Sequence, residues 1–104
     1  MKTQEDIIQK VKKAIHKIDP EAEIILFGSR ARGDFRPNSD WDFLILTSQV
    51  VDEELKKKIR KELFYTELET EQAISSIIHN KFEWHNKHQI TSLFQNVASE
   101  GIMI

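Results

Sequence analysis

Two acidic residues one position apart, Asp40 and Asp42, stand downstream of the pair Gly28-Ser29 and of a cluster of arginines. Alternate residues of a strand share a face and lie ~6–7 Å apart along the backbone, from a rise of ~3.3 Å per residue. Two carboxylates converging from that spacing can hold one or two magnesium ions, hard cations that take oxygen ligands. Both acids sit at the head of an otherwise apolar strand, Trp41-Asp42-Phe43-Leu44-Ile45-Leu46. That placement costs desolvation and mutual repulsion unless a cation offsets it. Gly28-Ser29 directly follows a second apolar run; glycine lets the backbone approach a phosphate closely, the following amides can cradle anionic oxygens, and the Ser29 hydroxyl adds a donor. Three of the four arginines, Arg30, Arg32 and Arg36, fall within seven residues, and a guanidinium fork suits phosphate oxygens. Acids for a metal and amides with arginines for phosphates thus lie on adjacent strands, the combination that nucleotidyl transfer requires.

The elements that must position these residues follow from the hydrophobic pattern. Ile7, Ile8, Val11, Ala14, Ile15 and Ile18 recur at helical spacing and predict a helix over about 4–17, with Thr3 as cap and Asp6 completing an approximate capping box. Asp19-Pro20 ends it, because proline disfavours helix at the residue before it. Glu23–Phe27 reads as a short strand stopped by Gly28, followed by a turn of helix and a polar loop with Gly33, Pro37 and Asn38. The strand at Trp41–Leu46 comes next, with Trp41 and Phe43 pointing to the core face and the acids to the other. Asp52 caps a second helix with Leu55, Ile59 and Leu63 on one face and lysines in water. Ala73–Ile78 is a third strand, with Tyr65–Glu69 as its candidate hairpin partner. A last helix buries Ile90, Leu93, Phe94 and Val97 and stops at Gly101, leaving Ile102-Met103-Ile104 for a short edge strand. The order α-β-β-α-β-α predicts an α/β (α+β) domain, a small mixed sheet flanked by helices.

At 104 residues the chain supports one domain over 1–104. It has no cysteine, which excludes disulfides, thiolate metal sites and a cysteine nucleophile and fits a reducing cytoplasm. No apolar run approaches the roughly 18 residues that cross a membrane, and the first six residues are too polar to begin a signal peptide. The formal net charge of -2, with 15 basic and 17 acidic residues, argues against nucleic acid as the main partner.

Gly28-Ser29, ten intervening residues and then Asp40-Trp41-Asp42 resemble the Gly-Ser-x10-Asp-x-Asp signature of the minimal nucleotidyltransferases, in the DNA polymerase β-like nucleotidyltransferase superfamily. Arg30-Ala31-Arg32-Gly33 and Ser39-Asp40 are similar to that family's usual filling, and the similarity extends to the ending Asn96–Ile102. The resemblance implies a polymerase β palm-like fold, with Gly28, Ser29, Arg30 and Arg32 binding the nucleotide and Asp40 and Asp42 as catalytic, metal-binding carboxylates for Mg2+. It also implies transfer of a nucleoside monophosphate, AMP from ATP, to a hydroxyl, with release of pyrophosphate. Small members of this kind accompany HEPN-domain proteins, and some act as antitoxins by transferring AMP to a tyrosine of the HEPN toxin. The superfamily usually has a third carboxylate on a later strand, as general base. Here that strand reads Ala73-Ile74-Ser75-Ser76-Ile77-Ile78, so either Ser75 stands at the position or Glu67, Glu69 or Glu71 replaces it. The alternative reading is a catalytically impaired module that binds nucleotide and neutralises a partner. Base preference, acceptor and oligomeric state stay open.

Three other features carry less. Arg32-Gly33-Asp34 spells an integrin tripeptide without any extracellular sign. His85-x-x-His88 has helical spacing for a metal but no third ligand nearby. Lys56-Lys57-Lys58 with Arg60-Lys61 reads first as the wet face of its helix and second as an anchor for an acidic partner or RNA.

Overall fold

A computed structural model describes residues 4–87 and 91–104. Its elements are α1 (Gln4–Ile18), β1 (Glu23–Phe27), α2 (Ser29–Arg32), β2 (Trp41–Thr47), α3 (Glu53–Thr70), β3 (Ile74–Asn80), α4 (Lys81–Lys87), α5 (Ser92–Glu100) and β4 (Ile102–Met103). The four strands form one sheet in the order β3-β2-β1-β4. β1 runs antiparallel to β2 and to β4, whereas β3 runs parallel to β2, so the sheet is mixed, as the pattern predicted.

Strand alternation sorts β2 between two cores. Trp41, Phe43 and Ile45 join Ile24 and Leu26 of β1 against Ile7, Val11 and Ile15 of α1 and Leu55, Ile59 and Leu63 of α3. Leu44 and Leu46 face the other way, onto Trp84 of α4 and Val97 of α5, with Ile25, Phe27, Leu93 and Phe94 packed around them. The helical periodicity of α1 and α3 and the twofold periodicity of β2 therefore produce a sheet between two helical layers. Asp42 belongs to the α5 side of the sheet; Trp41 and Phe43 belong to the other.

Two elements differ from the sequence expectation. Tyr65–Glu69 is not a hairpin strand but the last part of α3. The buried stripe Ile59, Leu63, Thr66, Thr70 continues at helical spacing, and the Thr66 and Thr70 hydroxyls donate to the carbonyls of Glu62 and Thr66. Packing and these local bonds override the β preference of Tyr-Thr. Glu71, in the left-handed region at φ 58°, closes the helix. The stretch after β3 forms the additional helix α4, which seats Trp84 between His79 and Phe94. Asp52 caps α3 by accepting the Leu55 amide at 2.8 Å, as expected, and α1 stops before Asp19-Pro20. Thr3, His88 and Ile90, to which the sequence reading gave a cap, a histidine pair and part of the last stripe, lie outside the described residues.

Asp19 has a larger role than helix termination. Its buried carboxylate accepts the Thr47 hydroxyl at 2.6 Å, the Ser48 amide at 2.8 Å and hydroxyl at 2.9 Å, and the Glu21 amide at 3.0 Å. It clamps the α1–β1 turn to the end of β2. Burial alone would raise its carboxyl, but the donors from Thr47, Ser48 and Glu21 hold it below the usual range. A carboxyl depressed in the folded state contributes stability above its unfolded value, and that contribution is lost as pH falls through the folded value. Asp19→Ala, which strands buried donors, should cost ~2–4 kcal/mol. Thermal melts against pH check this: the gap between wild type and Asp19→Ala should be widest at neutral pH and close progressively below about pH 4.

Candidate active site

The register of the sheet assembles the site. Phe27 of β1 pairs with Asp42 of β2, and Asp42 pairs with Ser75 of β3, so Phe27, Asp42 and Ser75 form one row across the sheet. Asp40, one residue before β2, is exposed and lies beside this row: the Ser75 hydroxyl donates to its Oδ2 at 3.4 Å. The β1–α2 turn closes the other side. Gly28 adopts φ 76° and ψ −160°, a backbone conformation reserved for glycine. A β-carbon there would lie 2.3 Å from Asp42 Oδ2, so the turn lies directly against the carboxylate. The amides of Ala31 and Arg32 both donate to the Gly28 carbonyl at 3.0 Å, which makes the turn a rigid start to α2. No hydrogen bond engages the Ser29 hydroxyl among the described residues, and it remains available as a donor.

Asp42 is half-buried, and burial, then the charge of Asp40, push its carboxyl above the usual range, while Arg32 pulls it part of the way back. Two carboxylates held together against that cost are of a kind that a cation would relieve. The donors present, Asp40, Asp42 and the Ser75 hydroxyl, are all oxygen, and magnesium characteristically takes one or two carboxylates and completes its shell with water and substrate phosphates. The donor set therefore fits Mg2+ and does not amount to a closed all-protein metal cage; no group of three or more His, Cys, Asp and Glu side chains able to hold a metal occurs among the described residues.

The question of the third carboxylate is answered by position. Ser75 is the residue beside Asp42. Glu67 accepts the Ile74 amide at 3.2 Å at the head of β3, Glu69 pairs with Lys10 on α1, and Glu71 is the C-cap of α3. The residue paired with Asp42 on β3 therefore carries a hydroxyl, with Glu67 bonded one residue away at the Ile74 amide.

The arginines divide. Arg30 is buried and turns away from the row. Its guanidinium lies between Phe35 and Trp41, 4.4 and 4.6 Å from their ring centroids, and donates to the carbonyls of Pro37 and Ser39. It braces the loop that delivers Asp40 rather than contacting the acids. Arg32 stays at the site, exposed, and donates to Asp34 and to both oxygens of Glu100 at 3.2 Å. Arg36 is exposed, and its amide bonds the Ser39 hydroxyl within the loop.

Glu100, at the end of α5, was not visible in the sequence as a site residue. Its Oε1 accepts Arg32 and also, at 3.4 Å, the amide of Gly28, so a carboxylate occupies donors that a phosphate would use. A phosphate reaching these donors would have to displace that carboxylate. Glu100→Gln should bind nucleotide roughly three- to tenfold more tightly, the removal of one charge-assisted contact being worth ~1 kcal/mol. Titration calorimetry with a non-hydrolysable nucleotide checks this, and unchanged or weaker binding would give Glu100 a purely structural role.

A glycine turn, with no hydrogen bond to the Ser29 hydroxyl among the described residues, thus stands against paired acids on a mixed sheet between helices. The sequence profile of the nucleotidyltransferase domain family matches residues 8–97, and the chain belongs to that family of transferases. A protein of Methanocaldococcus jannaschii provisionally named a protein adenylyltransferase is 41% identical over 78 residues, covering 73% of this chain and 79% of that protein. Among solved structures, a chain of a toxin–antitoxin complex with AMP-PNP superposes with a TM-score of 0.67 at 22% identity, covering 97% of this chain and 72% of that one. A mutant form of the toxin–antitoxin MntA–HpeT superposes with a TM-score of 0.64 at 19% identity, covering 91% and 69%. At these identities the structural matches establish the shared fold. Among the described residues no helix is long and apolar enough to cross a membrane.

Proposed function

We propose that the chain transfers AMP from Mg–ATP to a hydroxyl on a partner protein, a tyrosine of a HEPN-domain toxin, and so acts as an antitoxin. The observation that carries this reading is the row Phe27–Asp42–Ser75 with Asp40 at its edge and the Gly28-Ser29 turn against Asp42. Gly28 and Ser29 would hold the β- and γ-phosphates, Arg32 would supply positive charge once Glu100 yields, and Asp40 and Asp42 would hold the magnesium. When bound, that ion neutralises charge on the transferring phosphoryl group and orients it. The protein's own contribution is geometric. The turn would fix the phosphates, and the sheet fixes the acids relative to it. The attacking hydroxyl forms the new P–O bond at the α-phosphorus, and the bond to the pyrophosphate oxygen breaks. Ser75 is not basic at neutral pH, so the hydroxyl proton passes to solvent water as the P–O bond forms. The similarity to a relative named as a protein adenylyltransferase and to toxin–antitoxin chains supports AMP and a protein acceptor.

The position of Ser75 also favours a second reading, a module that binds nucleotide and neutralises its partner with little turnover. One experiment separates the two: incubation with labelled ATP, Mg2+ and the product of the adjacent gene. Label on a tyrosine of that product supports transfer; magnesium-dependent ATP binding without label supports the module; absence of nucleotide binding refutes both. The same assay tests a gain of function. Ser75→Asp places a third carboxylate beside Asp42, and a positioned base contributes ~10²–10⁴-fold, so labelling should accelerate at least tenfold. An equal or slower rate would show that the acceptor proton leaves by another route.

A further inference from the structure

Asp40 ends the loop 33–40, which is exposed from Gly33 to Asn38. A loop in water does not by itself hold a carboxylate to the precision that a shared metal ion needs. The two peptide groups flanking Asp40 are nevertheless both fixed. The carbonyl before it, that of Ser39, accepts the Arg30 guanidinium from Nη2 at 3.1 Å and from Nε at 3.4 Å. The amide after it, that of Trp41, donates to the Ala73 carbonyl at 2.9 Å. Gln72, beside Ala73 in the α3–β3 connection, ties the two anchors together. Its Oε1 accepts the Trp41 indole Nε1 at 3.2 Å and lies 3.5 Å from Arg30 Nη2.

Arg30 is only 8% exposed, and it forms no ion pair among the described residues. A guanidinium buried without a carboxylate is costly to desolvate. An aliphatic side chain would fill the gap between Phe35 and Trp41 without that cost. It could not hold the Pro37 and Ser39 carbonyls while stacked between two rings, which a planar fork of donors can. The anchor also lies behind the acids: Trp41 packs on the α1 and α3 side of the sheet, and Asp42 faces the other. Arg30 and Gln72 therefore act on Asp40 through its main chain.

We infer that Arg30 and Gln72 are positioning residues for transfer: they set the backbone on both sides of Asp40, and with it the placement of Asp40 against Asp42 that a shared divalent ion requires. The inference rests on the metal role proposed above for the two acids, and it gives Arg30 a part in that chemistry without contact to nucleotide.

The probe is Mn2+, which takes the same oxygen ligands as magnesium and whose free form is read by electron paramagnetic resonance. It is titrated into the whole chain with a non-hydrolysable ATP analogue. The variants are Arg30→Gln, Gln72→Met, which keeps the side-chain length and loses the acceptor, and Gln72→Glu, which keeps the acceptor. Asp19→Ala, whose clamp holds the opposite end of β2, is the control for lost stability. Removing a partner that orients a metal ligand costs about 10–100-fold in metal affinity. Mn2+ affinity should therefore fall about tenfold in Arg30→Gln and Gln72→Met, and stay within about twofold of wild type in Gln72→Glu and Asp19→Ala. In the labelling assay the half-saturating Mg2+ should rise by the same factor in the two weakened variants, while the rate at saturating Mg2+ approaches that of wild type. Unchanged affinity in Gln72→Met, an equal loss in Gln72→Glu, or a matching loss in Asp19→Ala would each overturn the inference. Should Arg30→Gln not fold, the two Gln72 variants decide the matter alone. A wild-type chain that takes up no Mn2+ with the nucleotide overturns the metal reading and this inference together, and the wild-type titration tells that failure from the others.

Discussion

Asp42→Asn should abolish labelling of the acceptor while the protein melts at or above the wild-type temperature. The two halves of this result have one cause. Asp42 is held half-buried next to Asp40, and desolvation with like-charge repulsion raises its carboxyl. In the folded protein at neutral pH that cost is fully present; it is relieved only as pH falls through the raised folded value, or when a cation arrives. An amide removes the repulsion without changing shape. It also removes one of two carboxylates able to hold the divalent ion, whose charge stabilisation is worth several kcal/mol, and therefore about 10³-fold or more in rate. Added magnesium should raise the melting temperature of wild type in the presence of nucleotide and leave that of Asp42→Asn unmoved. Melts and labelling on the same preparations check the pair. A variant that melts well below wild type would mean that Asp42 is structural and that its charge is compensated by contacts other than a cation.

The same residue shows why part of this molecule is legible in the sequence and part is not. The alternation that puts Asp42 on one face and Trp41 and Phe43 on the other is a property of a single strand, and the spacing from Gly28-Ser29 to Asp40 is a property of one loop. Both are local and both can be read directly, as can the buried stripes of α1 and α3. What neighbours Asp42 is not local. Ser75 reaches it through the parallel pairing of β3 with β2, and the register that selects Ser75 over Glu67 or Glu69 depends on where α3 ends. Because the Tyr65–Glu69 segment carries strand-favouring residues yet completes a helical stripe with Thr66 and Thr70, its place is decided by packing against the sheet rather than by propensity. Arg30 and Arg32 look equivalent in sequence. Two residues of helical rotation send one between Phe35 and Trp41 and leave the other at the acids. Glu100 enters the site from a separation of 72 residues along the chain, through the pairing of β4 with β1 and a close turn at Gly101, where a β-carbon would meet the Val97 carbonyl at 2.5 Å.

Gly28→Ala should cost both stability and the site, and Gly33→Ala is its internal control. Both glycines have positive φ, 76° and 90°, so an alanine at either is strained by ~1–3 kcal/mol. Around Gly33 a β-carbon meets nothing within 4 Å, whereas at Gly28 it would meet Asp42 Oδ2 at 2.3 Å, Cγ at 3.2 Å and Cβ at 3.3 Å. The new methyl must therefore displace either the phosphate turn or the carboxylate, and every role argued for the two depends on their mutual position. Gly33→Ala should lose stability through strain alone and retain Mg–ATP binding and labelling within a few-fold. Gly28→Ala should lose at least ~2 kcal/mol, on the order of 10 °C in a domain of this size, and lose nucleotide binding and labelling to background. Chemical denaturation, calorimetric nucleotide titration and the labelling assay on the two variants isolate the contact, since strain is common to both. Equal effects at the two positions would show that the turn and Asp42 do not act together, and the site argued from their contact would fall.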